Sequence, residues 1–248
     1  FGDFGVASFF GGNRMRKSTE RLGLNGRDLQ TPFFHSITNA ATLTRIFEQG
    51  EVGINSLFGS AEFSYKNMLF LTMTGRNDWF STLSPESNSV FYPSIGLSFA
   101  LSDAIELPSW VTFGKVRAAW SEVGGAPLTP YRTNLAYGIT GSHMGASLAG
   151  ISSSELPNRY LQPLTVSEIE VGMDLRFLKN RVGLDIAYYD RTTTNDILSA
   201  TLSESTGFET AAVNVGEMSN KGVEMLLTGT PIEGPFTWDI SFNYAHNV

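Results

Sequence analysis

The 248 residues carry 17 Lys or Arg against 24 Asp or Glu, a net charge of −7, and no cysteine. The acidic balance argues against a nucleic-acid partner, and the missing thiols exclude a disulfide framework or a thiolate metal centre. Hydrophobic residues make up 42% of the chain, yet no apolar run approaches the ~18 residues that a membrane helix needs.

The first 50 residues are the least regular. Phe4 to Arg16 reads as a strand pair turning around Gly11-Gly12-Asn13, and 17–50 as a loop with an irregular strand or a short helix. From residue 51 onward side chains alternate between apolar and polar with the period of two that defines an extended strand. About eight strands follow by this criterion. Over 52–65, Leu57, Ala61, Phe63 and Tyr65 oppose Ser56, Ser60, Glu62 and Ser64. Over 67–76, Leu69, Leu71 and Met73 oppose Thr72, Thr74 and Arg76. Over 92–101, Ile95, Leu97, Phe99 and Leu101 oppose Ser94, Gly96, Ser98 and Ala100; over 111–121, Val116, Ala118 and Trp120 oppose Lys115, Arg117 and Ala119. The strand 166–177 is the clearest: Ile169, Val171, Met173, Leu175 and Phe177 oppose Glu168, Glu170, Gly172, Asp174 and Arg176. Over 181–191, Val182, Leu184, Ile186 and Tyr188 oppose Arg181, Asp185 and Ala187. Over 221–230, Val223, Met225 and Leu227 oppose Glu224 and Thr228, and over 236–246, Phe236, Trp238, Ile240, Phe242 and Tyr244 oppose Thr237, Asp239, Ser241, Asn243 and Ala245.

The links have their own rhythm. Tyr65-Lys66-Asn67, 102–110, 178–181 and 231–235 are short, whereas 77–91, 122–165 and 192–220 are long. Outer-membrane barrels alternate short periplasmic turns with long extracellular loops in this way. The pattern predicts an all-β fold, an antiparallel transmembrane β-barrel wall, with apolar rows against lipid and polar rows against the lumen. Tyr65, Trp120, Tyr188, Trp238 and Tyr244 lie near predicted strand ends, where interface aromatics belong. A soluble β-sandwich, with the same rows turned into a core, is the competing reading.

No motif for catalysis is present. Gly114-Lys115 lacks the upstream glycine of a phosphate loop, and no Gly-x-Ser-x-Gly elbow occurs. His35, His143 and His246 are scattered without metal-ligand spacing. Glu168 and Glu170 could suggest a paired-carboxylate hydrolase, but their i, i+2 spacing beside Asp174 and Arg176 fits a solvated strand face. The expectation is therefore no enzyme, no cofactor and no metal. The candidate functional wall is the lumenal polar row: Arg76, Lys115, Arg117, Glu168, Glu170, Asp174, Arg176 and Asp185. It reads either as mutually satisfied charges or as a solute-binding lining.

Several segments resemble one family. Tyr65-Lys66-Asn67 with Leu71-Thr72-Met73-Thr74-Gly75-Arg76-Asn77-Asp78-Trp79, Phe91-Tyr92-Pro93-Ser94, Phe113-Gly114-Lys115-Val116-Arg117, Glu170-Val171-Gly172-Met173-Asp174-Leu175-Arg176-Phe177 and Asn220-Lys221-Gly222-Val223-Glu224 are similar to stretches of SusC/RagA-type TonB-dependent transporters. Their order and spacing fit over most of 50–245. Phe80 departs from the small polar residue usual there. The resemblance implies a fragment of a large plugged barrel of the roughly 22-stranded class. It places the protein in the outer membrane of a Bacteroidetes-type Gram-negative cell. It further implies TonB-driven import of nutrients, glycan oligosaccharides or peptides, with a SusD-like surface lipoprotein and the TonB complex as partners. The plug, its TonB box and the closing strands have no counterpart in these residues, which read as part of a longer polypeptide. A scaffold barrel without transport, or a small closed barrel of ~8 strands acting as an adhesin, are the alternatives the strand pattern leaves open.

Overall fold

Alternation at this density forces the backbone to pair outside each strand, because an extended segment satisfies none of its own N–H and C=O groups. The computed structural model describes residues 2–126, 129–151 and 153–248. Its strands are β1 (Phe4–Leu29), β2 (Ala40–Tyr65), β3 (Leu69–Phe80), β4 (Ser89–Ala100), β5 (Val111–Gly125), β6 (Tyr137–His143), β7 (Ala146–Ile151), β8 (Glu155–Leu156), β9 (Leu164–Phe177), β10 (Val182–Thr194), β11 (Ile197–Thr201), β12 (Thr210–Asn214), β13 (Glu217–Ile232) and β14 (Trp238–Asn247). A single helical turn, α1 (Leu101–Ala104), joins β4 to the segment before β5. Nine strands form one sheet in the order β1-β2-β3-β4-β5-β9-β10-β13-β14, with every neighbouring pair antiparallel. Among the described residues no helix is long and apolar enough to cross a membrane.

The register turns the local alternation into a continuous surface. One row of cross-strand partners runs through all nine strands: Phe4, Tyr65, Leu69, Phe99, Val116, Met173, Ile186, Met225 and Tyr244. Two residues further along lie Val6, Phe63, Leu71, Leu97, Ala118, Val171, Tyr188, Val223 and His246. Residues of this face are open rather than packed: Leu97 is 46% exposed, Ile169 54% and Phe242 54%. An uncovered apolar face of this extent is incompatible with a soluble sandwich and suits a surface solvated by lipid tails.

Two tight turns carry the chemistry that a two-residue hairpin requires. Lys66 and Asn67 both have positive φ, and Met68 N–H donates to the Tyr65 carbonyl at 3.0 Å. Between β9 and β10, Lys179 and Asn180 also have positive φ, inside a four-residue link closed by Arg181 N–H donating to the Leu178 carbonyl at 3.3 Å, with Leu178 itself at positive φ. Paired positive φ is the type I′ geometry, whose twist matches that of the strands it joins.

The first 50 residues differ from their sequence reading. The chain runs straight through Gly11-Gly12-Asn13, because each of these residues has a partner on β2. β1 and β2 are 26-residue strands that form a long ribbon. Its turn lies at 30–39, where Asn39 receives the Thr31 N–H at 2.9 Å and donates to the carbonyls of Thr31 and Phe34 at 2.8 Å. The long links are also shorter than expected. β3 continues to Phe80, β10 to Thr194, and β13 begins at Glu217. These extensions carry polar residues on both faces (Asn77-Asp78, Thr192-Thr193-Thr194, Ser219-Asn220), so alternation does not reveal them. Trp120 and Tyr188 lie well inside their lengthened strands, whereas Tyr65 and Trp238 do mark the short-turn end.

Candidate functional site

Polar residues at alternate positions of β3, β5, β9 and β10 must share the face opposite the apolar rows, and they do. Arg76, Lys115, Arg117, Glu168, Glu170, Asp174, Arg176 and Asp185 all project from that side by register. The structure gathers three of them into one cluster across three strands. The Arg117 guanidinium donates from Nε to Glu170 Oε1 at 3.1 Å and from Nη2 to Asp185 Oδ1 at 3.1 Å. It reaches β10 by lying across β9 at its cross-strand partner Gly172, where a Cβ would stand 2.7 Å from the guanidinium carbon. Arg176 lies over Gly183 of β10 in the same manner and contacts Asp174 at 3.3 Å. In both places the absence of a side chain is what lets an arginine cross a strand.

The other members stand apart. Glu168 pairs with Arg191, a partner that alternation placed on the same face but that the sequence did not single out. Arg76 pairs with Asp78 at 2.8 Å and donates to Ser56 Oγ at 2.8 Å, on β3 and β2 far from the Arg117 cluster. Lys115 is the register partner of Asp174 but makes no ion pair among the described residues. The cluster is about one-third exposed at Arg117, Glu170 and Asp185, so solvent screens its ion pairs and each is worth about 0–1 kcal/mol. The wall thus presents charges of both signs that are largely mutually satisfied.

A second site lies at the long-connection end of the same strands, and the sequence did not reveal it. The links 81–88, 126–163 and 195–216 fold onto one another. Among the described residues Phe80, Leu83, Tyr92, Leu161 and Ala212 form a buried apolar cluster, with Ile54, Val90 and Ile197 against it. Side-chain amides and hydroxyls then fasten distant backbones. Ser84 Oγ donates to the Arg159 carbonyl at 2.7 Å and Ser87 Oγ to the Leu161 carbonyl at 2.9 Å. Asn158 Nδ2 donates to the Ala212 carbonyl at 2.9 Å. Asn214 accepts the Gln162 N–H at 2.8 Å and donates to the carbonyls of Gln162 and Asn195 at 2.8 and 2.9 Å. β8 adds to β12 in parallel through Glu155 and Leu156. Arg132 grips Glu155 with two hydrogen bonds, at 2.7 and 2.8 Å. Those bonds hold the guanidinium above its ordinary pKa despite partial burial. The only legible signal would have been the Ser/Asn density of these links, since such residues bond to backbone groups outside ladders.

Among the described residues no group of three His, Cys, Asp or Glu side chains could hold a metal ion. The arrangement offers a charged wall along the strands and, at their long-connection end, a mouth held by side-chain clamps around a small core.

Known proteins agree on the architecture. The chain matches the family model described as TonB dependent receptor-like, beta-barrel, over residues 2–247. It is 28% identical over 220 residues to TonB-dependent receptor P26 of Formosa agariphila, covering 86% of this chain and 22% of the relative. It is 27% identical over 204 residues to TonB-dependent receptor P3 of the same organism, covering 79% and 20%. The chain therefore spans about a fifth of the length of the curated relatives it matches. Among solved structures, the RagAB peptide importer in its closed-closed state superposes with a TM-score of 0.86 at 18% identity, covering 99% of this chain and 28% of that one. The siderophore receptor PirA from Pseudomonas aeruginosa gives 0.54 at 16% identity, covering 98% and 44%.

Proposed function

The chain belongs to the TonB-dependent receptor-like β-barrel family, an outer-membrane family, and from that premise we propose that it supplies wall and mouth to a TonB-driven nutrient importer of SusC type. The polar face lines the lumen in this reading, and the long links face the cell exterior. Solute, an oligosaccharide or a peptide, enters through the mouth. A SusD-like surface lipoprotein delivers it there, and TonB, acting on a plug outside these residues, opens the path along the charged wall.

The observation that carries this reading is the tied mouth. Import requires a wide wall that keeps its shape while something above it selects the cargo. Here the wall is nine strands of regular ladder, and the selective chemistry is concentrated where three links share one small core. The family resemblance supports the partner as well: RagAB is a peptide importer, and the fold likeness to it is far higher than to the siderophore receptor PirA. Glu170 and Asp185 offset the Arg117 cation and leave the cluster one net negative charge, so it gives an anionic solute no point of capture.

The test uses cells carrying the complete gene. Uptake of labelled oligosaccharides and peptides is measured with and without TonB, and the complex is purified in mild detergent. TonB-dependent uptake of one class, with a surface lipoprotein co-purifying, is the expected result. Uptake that persists at full rate after TonB depletion would reject active import.

A further inference from the structure

The ribbon β1–β2 outruns its neighbour, and the place where it does so is built. β2 pairs with β3 only from Tyr65 back to Ile54, opposite Phe80. At the next residue the sheet parts. Gly53 N–H donates to Ser81 Oγ at 2.8 Å, and the Gly53 carbonyl accepts the Ser81 N–H at 2.9 Å. A notch of about 540 Å³ opens there, lined by Arg14, Arg16, Asn55, Trp79, Asn88 and Tyr131.

Its position is informative. Arg14, Asn55 and Trp79 are successive cross-strand partners in one row, on the same face as the apolar rows. Each lies ten residues from the row at the short-turn end, formed by Phe4, Tyr65 and Leu69. Ten residues of strand measure ~33 Å, and a tilt of about 40° reduces that to about 25 Å of height, the thickness of a barrel's apolar band. The notch therefore stands at the outer rim of the lipid-facing belt, with Arg14, Arg16, Asn55 and Trp79 on its lipid side and Met15, Val52 and Phe80 closing it from the other face. Cargo in the lumen would pass on the opposite face.

Its chemistry is that of a charged sugar. Arg14 has no ion pair or hydrogen bond from its side chain among the described residues, and Arg16 pairs with Glu51 at 2.6 Å. The three charges leave one net positive in a chain of −7. Guanidinium groups favour phosphate oxygens, which they bind in a fork. Trp79 and Tyr131 offer ring faces, and Asn55 and Asn88 offer amides suited to hydroxyls.

We propose that this notch binds the phosphate-bearing sugar headgroup of an outer-leaflet glycolipid whose acyl chains lie on the apolar rows below it. The belt selects a lipid over a free phosphate, because tails held on Phe10, Leu57 and Met73 add apolar contact that a free ion cannot make. The site depends on the outer-membrane setting of the family and is independent of what the protein imports.

The test is native mass spectrometry of the complete protein purified from outer membranes in mild detergent. It is titrated with bisphosphorylated lipid A, the dephosphorylated lipid, and inorganic phosphate alone. The expected result is tight binding of the phosphorylated lipid only. Arg14→Ala with Arg16→Ala should weaken it about tenfold or more, while Arg27→Ala with Arg45→Ala, further out on the ribbon, should leave it unchanged. Gly53→Glu tests the same notch with both arginines kept: it sets a carboxylate opposite Arg16, at a position where a Cβ meets only ordinary contacts at 3.8–3.9 Å. It too should abolish the preference for phosphate. Equal binding of the dephosphorylated lipid, displacement by inorganic phosphate at matched concentration, or unchanged affinity in both variants would overturn the proposal.

Discussion

The two ends of the wall solve the same problem with different materials. At the short-turn end, two of the links are tight turns closed by backbone hydrogen bonds, with positive φ at Lys66-Asn67 and Lys179-Asn180. At the other end, links of very different length meet through Leu161, Asn158, Asn214 and the Arg132–Glu155 pair. Backbone ladders are insensitive to which side chain stands at a position, whereas a small core and side-chain clamps depend on each one. The wall should therefore tolerate substitution that the mouth does not.

The largest break in that contrast is expected from Leu161→Ala. Leu161 is fully buried, and truncating such a residue costs about 3 kcal/mol. The three links should become sensitive to limited proteolysis while the heat-resistant gel mobility of the barrel is unchanged; loss of both together would show that mouth and wall are one unit. Glu155→Ala comes next, leaving the partly buried Arg132 without its two hydrogen bonds at a cost of about 2 kcal/mol. Hydrogen exchange over 126–163 should rise.

The Arg132 pair also fixes a sign. Its pKa is raised in the folded state, so the guanidinium's share of stability is fully present below the ordinary arginine range and is lost only as pH climbs through the raised value. Exchange rates in 126–163, corrected for intrinsic chemistry, should show no loosening from this group between neutral and moderately alkaline pH.

On the wall, Arg117→Ala should cost at most about 2 kcal/mol for its two ion pairs, because the partners are one-third exposed and water replaces the contacts. Thermal unfolding in detergent measures it, and a loss of several kcal/mol would mean that the charged face is structural. The smallest effect is expected from Tyr92→Phe. The Tyr92 hydroxyl is buried with no hydrogen bond among the described residues, so its removal should be neutral or slightly stabilising.

The eight charged residues read from alternation all share one face, as strand geometry requires. What alternation did not show is that Gly172 opens a passage for Arg117 to Asp185, or that Arg191 closes on Glu168. The same limit explains β1. Gly11-Gly12-Asn13 looks like a turn by composition, but pairing along β2 keeps it extended, and a ladder of backbone hydrogen bonds outweighs a local turn preference. The Arg14–Asn55–Trp79 row was equally invisible, because its members come from three strands.

The sequence by itself determined the middle of each sheet strand from residue 51 onward, its two faces and the alternation of short with long links, because side-chain direction in an extended chain depends only on whether a position is odd or even. The tertiary structure alone decided which residues meet. Register between strands, the splitting of the sheet at Gly53, and the joining of links separated by up to 75 positions follow from how nine strands pair across one sheet. That pairing is a property of the whole surface, carried by no single segment.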